Sequence, residues 1–213
     1  MDIGNLVIIL GVIFFSMTIH EVMHGLIAYY LGDDTAKAQG RLTLNPLKHI
    51  DPFLTILLPV LLAVTGGPIF GGAKPVPFNP TRIRYGEWGV ALVAAAGPLV
   101  NLVLAFVAFG LSVLIDPLQG SLLYGILFYA VWVNLGFFVF NMLPLPPLDG
   151  SRVLYALAPD FVRRGMEAIE RFGIWVILAL VLLASSVIGQ FMGAAIQAIL
   201  RVFEAIFGVG TGV

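Results

Sequence analysis

Long apolar runs alternate with short polar ones along the chain, and the runs have the length of membrane crossings. A helix needs about 20 apolar residues to cross the hydrocarbon core. Leu6–Leu31 meets that length and stops at Gly32-Asp33-Asp34, a helix-ending signal. Trp88–Ile115 and Leu122–Met142 predict two more spans, with the polar turn Asp116–Gly120 between them. A fourth runs from Phe172 to about residue 188. Phe53–Phe70 is apolar too, but Pro59, Gly66, Gly67 and Pro68 leave it short and broken, so it reads as a re-entrant segment that dips in and returns.

The polar connections carry weaker patterns. Residues 35–44, "TAKAQGRLTL", alternate small or apolar with polar positions and predict a short strand or hairpin. "NPLKHIDP" is a turn with Asp51 as an N-cap before Pro52. Proline makes residues 71–80 extended, with 71–78 strand-like. Pro159–Arg171 predicts a surface helix: Val162, Met166 and Ile169 share one face, and Arg163–Glu167 and Glu167–Arg171 are i,i+4 pairs. From Gln190 onward, Gln197, Arg201 and Glu204 fall on one side of an otherwise apolar helix, the pattern of an interfacial helix. The expected fold is therefore an all-α membrane protein in one domain over residues 1–213. It has about four full spans, a re-entrant segment at 53–70, strand-like pieces at 35–44 and 71–78, and a C-terminal interfacial helix.

Composition supports this class. The chain is 60% hydrophobic and 11% charged, with a mean hydropathy of +1.02; soluble domains have about 45–50% apolar and about 25% charged residues. The net charge of −1 gives no reason to expect a nucleic-acid partner. The absence of cysteine removes disulfides and thiolate metal ligands. The start "MDIGN" has an acid and no base, so the first segment is expected to be retained rather than cleaved. Basic residues gather in cytoplasmic loops. If 53–70 dips rather than crosses, all of the 11 Lys and Arg except Arg201 lie on one side, which puts the N-terminus outside.

Against that background the first span is anomalous. "FFSMTIHEVMHGLIAYY" places His20, Glu21 and His24 inside lipid-compatible sequence. A charge at mid-bilayer costs on the order of 3 kcal/mol even on the mildest scale, and such residues usually mark function. His20 and His24 are four apart, on one helical face, so both imidazoles can reach one zinc ion, with Glu21 beside them as a proton acceptor. A hydrogen-bonded polar pair inside a bundle is the bland alternative. Catalytic zinc usually has three protein ligands. Candidates for the third are His49, Asp51, Asp116, Asp149, Asp160, Glu167 and Glu170. Asp149 follows a span running in the same direction as the first, after Pro144, Pro146 and Pro147 have broken the helix. It could equally cap a helix starting at Gly150.

"HEVMH" at 20–24 and "NMLPLPPLDG" at 141–150 together resemble the site-2 protease family of intramembrane metalloproteases. "GRLTLNPLKHIDP", "GGAKPVPFNP" and "AGPLVN" look like its short prokaryotic branch, without PDZ or CBS domains, and the resemblance covers at least residues 14–155. It implies that His20, His24 and Asp149 bind one zinc ion per chain, that Glu21 is general base and acid, and that Asn141 holds substrate backbone or the developing oxyanion. Gly97, Pro98 and Asn101 read as packing. The expected function is hydrolysis of peptide bonds in or near spanning segments of membrane-anchored proteins. The expected location is the cell membrane, multi-pass, with the site toward the cytoplasm. The extended pieces at 35–44 and 71–78 could bind substrate by strand addition. The oligomeric state is open. Two other functions fit parts of the pattern: a membrane zincin with Glu167 as third ligand, and a zinc transporter or non-hydrolytic metal-binding protein.

Overall fold

The computed structural model describes residues 3–58, 61, 64 and 72–209. Its long helices are α1 (Ile3–Tyr30), α3 (Gly86–Ile115), α4 (Leu122–Asn141) and α7 (Ile174–Phe207). Shorter ones are α2 (Thr35–Ala38), α5 (Asp149–Leu157) and α6 (Asp160–Glu170). Among the described residues, four helical stretches are long and apolar enough to cross a membrane: α1, α3, α4 and Ser186–Phe207 within α7. Each end has a local cause. Gly32 takes φ +107, and the Asp33 N–H donates back to Ala28 O at 2.9 Å, closing the last turn of α1. Ser121 caps α4 by accepting from Tyr124 N. Pro144 follows α4 within three residues.

Helix α3 is central and packs on α1, α4, α5 and α7. Its small residues Ala91, Ala94, Ala96 and Gly97 are all buried, which lets neighbouring backbones approach closely. Two apolar clusters flank its middle. One joins Ala105 and Ala108 to Leu127, Val131, Leu135 and Val139 of α4 and to Ile196 and Phe203 of α7. The other joins Ala28 of α1 to Ile83, Val90 and Val93. The stretch of α3 between them, around Gly97 and Asn101, faces the histidines of α1.

Several expectations change. No strand occurs among the described residues. Within 35–44, Thr35–Ala38 is one helical turn, because Asp33 accepts from both the N–H and the hydroxyl of Thr35 and starts a turn instead of a ladder. Residues 72–79, covering most of the second strand-like piece, form neither helix nor ladder; Pro75 and Pro77 have no N–H to give. The C-terminal segment is not a separate interfacial helix. It continues α7 unbroken and buries Ile196 and Phe203, with Phe203 and Phe207 packed against Phe106 and Phe109. The face carrying Gln197, Arg201 and Glu204 is only the outer side of that packed helix. On α6 the members of the expected i,i+4 pairs take other partners: Arg163 lies 3.9 Å from Asp160, and Glu167 accepts from the Tyr155 hydroxyl at 2.6 Å, while Glu170 pairs with Arg152.

The re-entrant segment 53–70 falls largely outside the described residues. Its flanks are described, and they meet. Gly72 N–H donates to Leu54 O at 3.0 Å, and the Thr55 hydroxyl donates to Gly72 O at 2.6 Å. Arg84 N–H reaches Leu31 O at 2.9 Å, so α3 begins where α1 ends.

Candidate metal centre

The buried His20 and His24 lie one turn apart on α1, with their Nε2 atoms 3.0 Å from each other. Asp149 Oδ2 lies 3.2 Å from His20 Nε2 and 3.4 Å from His24 Nε2. These three donors form a nearly equilateral triangle. A tetrahedral zinc ion with bonds of about 2.0–2.1 Å has ligand-to-ligand edges of about 3.3–3.4 Å. The triangle therefore matches one face of such a site, and the donor set, two imidazoles and a carboxylate, suits zinc.

Both rings are oriented from α3. His20 Nδ1–H donates to Asn101 Oδ1 at 2.6 Å, and His24 Nδ1–H donates to Val93 O at 2.8 Å. Each bond leaves the Nε2 lone pair free for a metal. The chain continues inward: Asn101 Nδ2 donates to Asn134 Oδ1 at 2.8 Å, and Asn134 Nδ2 donates to Ser16 Oγ at 2.9 Å. Asn101, Asn134 and Ser16 are all almost fully buried. Between Val93 and Asn101, on the same face of α3, sits Gly97. A Cβ there would lie 2.7 Å from His20 Nε2 and 2.6 Å from His24 Cε1, and nearer still to His24 Nε2. Only glycine leaves room for both rings.

Asp149 reaches the site because the end of α4 and the start of α5 nearly touch. A Cβ on Gly150 would collide with the Met142 carbonyl and lie 2.7 Å from Leu143 O. Asp149 is the first residue of α5, whose N-cap is Leu148, so it is not itself the cap. Glu21 also lies in the cluster: it, His20 and His24 offer ligand atoms within 4.8 Å of one another. Its Oε2 accepts the Val76 N–H at 2.7 Å, from the segment 72–79.

The profile of peptidase family M50 matches residues 116–185, which include Asp149. A protein of Bacillus subtilis (strain 168) named "Putative zinc metalloprotease YwhC" is 44% identical over 90% of this chain and 89% of its own length. The chain belongs to peptidase family M50. Proteins named "Putative zinc metalloprotease Rip2" are 31% identical in Mycolicibacterium smegmatis, over 84% of this chain and 68% of theirs, and 33% identical in Mycobacterium tuberculosis H37Rv, over 84% and 67%. No solved structure matches significantly.

In this M50 peptidase the remaining candidates go elsewhere. Asn141 donates to Phe137 O at 3.0 Å, one turn back in α4. His49 is fully buried and bonds Thr43 O through Nε2. Asp51 caps the turn at 52–57, accepting from Phe53 N and Leu54 N. Asp116 is the C-cap of α3, Asp160 lies in the first turn of α6, and Glu167 and Glu170 have the partners given above. The sequence reading missed the roles of Asn101, Asn134, Ser16 and Gly97 around this donor cluster. Asn101 was legible as a buried amide bonding across helices, but nothing in one sequence gives its partner. Asn134 carries the same signal, an amide in the middle of an apolar span.

Proposed function

We propose that this M50 peptidase is a zinc-dependent intramembrane endopeptidase, cutting peptide bonds in or near the spanning segments of membrane-anchored proteins. The observation that carries the reading is the donor triangle of His20, His24 and Asp149 with the Glu21 carboxylate beside it. Depth supports it: at 1.5 Å per residue, His24 and His20 lie about 9 and 15 Å inside the Tyr30 end of α1. The relatives' names, which say zinc metalloprotease, point the same way. The meeting of Arg84 with Leu31 supports a common side for the two ends of the connection between α1 and α3, residues 31–52 and 72–85, and for the loop after α4. All basic residues except Arg201 are then on that side, which makes it the cytoplasmic one.

His20, His24 and Asp149 would hold one zinc ion per chain. Bound there, zinc supplies Lewis acidity, polarising a carbonyl and making water acidic near neutral pH. Glu21 takes a proton from the attacking water and delivers it to the leaving amine. The Asn141 amide has a second N–H beyond the one on Phe137 O, available for the substrate carbonyl as negative charge develops. A helical substrate carbonyl is already hydrogen-bonded, so the substrate must be unwound locally before it can be cut. Glu167, engaged with Tyr155, gives no support to a glutamate third ligand.

The test pairs metal analysis with cleavage of a membrane-anchored peptide in liposomes. Glu21→Gln keeps one zinc per chain and loses cleavage. Cleavage surviving that change would overturn Glu21 as the general base; zinc transport that survives it, with no cleavage by the wild type, would favour a metal carrier.

A further inference from the structure

The segment 72–79 uses its backbone in an orderly way. Gly72, Lys74 and Val76, two residues apart, turn their N–H groups to one edge: to Leu54 O at 3.0 Å, His49 O at 2.8 Å and Glu21 Oε2 at 2.7 Å. The carbonyls of Gly72 and Lys74 face the same edge, accepting from the Thr55 hydroxyl and from Arg41 Nη2. On the opposite edge the alternate residues are Ala73, Pro75 and Pro77. Two of these three have no N–H, so that edge is a poor template for an added strand. Val76 N–H is the sole backbone donor between residues 75 and 77, and it is committed to Glu21.

The approach is built in. Val76 is buried, and Gly25 of α1 lies one turn beyond Glu21 on the same face. A Cβ at Gly25 would sit 2.9 Å from Val76 Cγ1 and 2.6 Å from Leu42 Cδ2. The strap is anchored again where Asn79 N–H donates to the fully buried Asp33 at 2.6 Å. We infer that the Val76 backbone N–H is a positioning group for the reaction: it fixes one oxygen of Glu21 and so aims the other at the donor triangle. Strap 72–79 thus acts on the general base rather than as a docking strand for substrate. This rests on the proposed role of Glu21.

The experiment compares Val76→Pro, which removes the N–H, with Val76→Ala, which keeps it. Zinc content, kcat and KM are measured on the full chain in liposomes, and Glu21→Gln is run beside them. Val76→Pro is expected to lower kcat about 100-fold, the scale of a misplaced reacting group, with zinc and KM unchanged, and to lose far more kcat than Val76→Ala, which trims the side chain but keeps the N–H. A rise in KM at unchanged kcat, or equal activity in the two variants, overturns the inference. A second readout does not depend on Val76→Pro folding. In 15N-valine protein, the Val76 amide proton, identified by its loss in Val76→Ala, lies downfield and moves upfield in Glu21→Gln. An unmoved resonance overturns the inference. Full activity in Glu21→Gln would instead overturn the underlying reading of the base.

Discussion

Replacing Gly97 by alanine adds one methyl group at the most crowded point of the proposed metal site. The new carbon would stand 2.7 Å from His20 Nε2 and 2.6 Å from His24 Cε1. Nonbonded carbon contacts are comfortable at about 3.5–4.0 Å, so a shift of about 1 Å is required. The imidazoles cannot yield cheaply. His24 is held by Val93 O and His20 by Asn101, and both anchors belong to the helix that carries the methyl. Pushing the rings away from α3 therefore breaks the bonds that set their tautomers. Loss of a single orienting partner costs about 10–100-fold in metal affinity. Two strained partners and displaced donors put Gly97→Ala at about 100-fold or more, or about 2.8 kcal/mol. Overpacking adds about 1–3 kcal/mol of instability. The assay is zinc stoichiometry after equilibration against graded chelator buffers, with thermal unfolding in parallel. Gly136→Ala is the control: a Cβ there meets nothing within 4 Å, so zinc is retained. Zinc affinity within about threefold of wild type in Gly97→Ala would refute the packing argument.

Asn101→Ala frees His20 Nδ1 and leaves the buried Asn134 amide short of a partner; zinc affinity should fall about 10–100-fold, and stability by about 1–3 kcal/mol. Chelator titration and thermal melting check both. Asn141→Ala should lower kcat roughly 100-fold at unchanged zinc content, measured in the liposome cleavage assay. For Asp33, burial alone would raise the carboxyl; bonds from Thr35 and Asn79, with Arg82 nearby, lower it below the ordinary 3.8. A depressed folded value means the stabilisation is fully present above pH 3.8 and is lost as pH falls through the lower folded value. Melts across this acid range should show a falling component that Asp33→Asn lacks.

The helices were legible because lipid solvation demands long apolar runs, and Leu6–Leu31, Trp88–Ile115 and Leu122–Met142 fall close to α1, α3 and α4. His20 and His24 were legible because polar residues are conspicuous there. Asp149 needed its proline-broken context to stand out from the other carboxylates. The irregular pieces were misread because alternation at 35–44 does not distinguish a strand from a turn held by a buried acid such as Asp33. The end of α7 was misread because three polar residues on one side suggested a surface, whereas Ile196 and Phe203 on the other side decide the packing. In the Asn101–Asn134–Ser16 chain the last link joins residues 118 positions apart, and one sequence carries no signal for such a pairing.

The central claim is that a metal sits among His20, His24 and Asp149. Zinc-edge X-ray absorption on the purified chain measures this directly. The account predicts one zinc with two imidazole nitrogens and carboxylate oxygen at about 2.0–2.2 Å, and loss of that signature in Asp149→Asn. An unchanged spectrum and full zinc content in Asp149→Asn would contradict it.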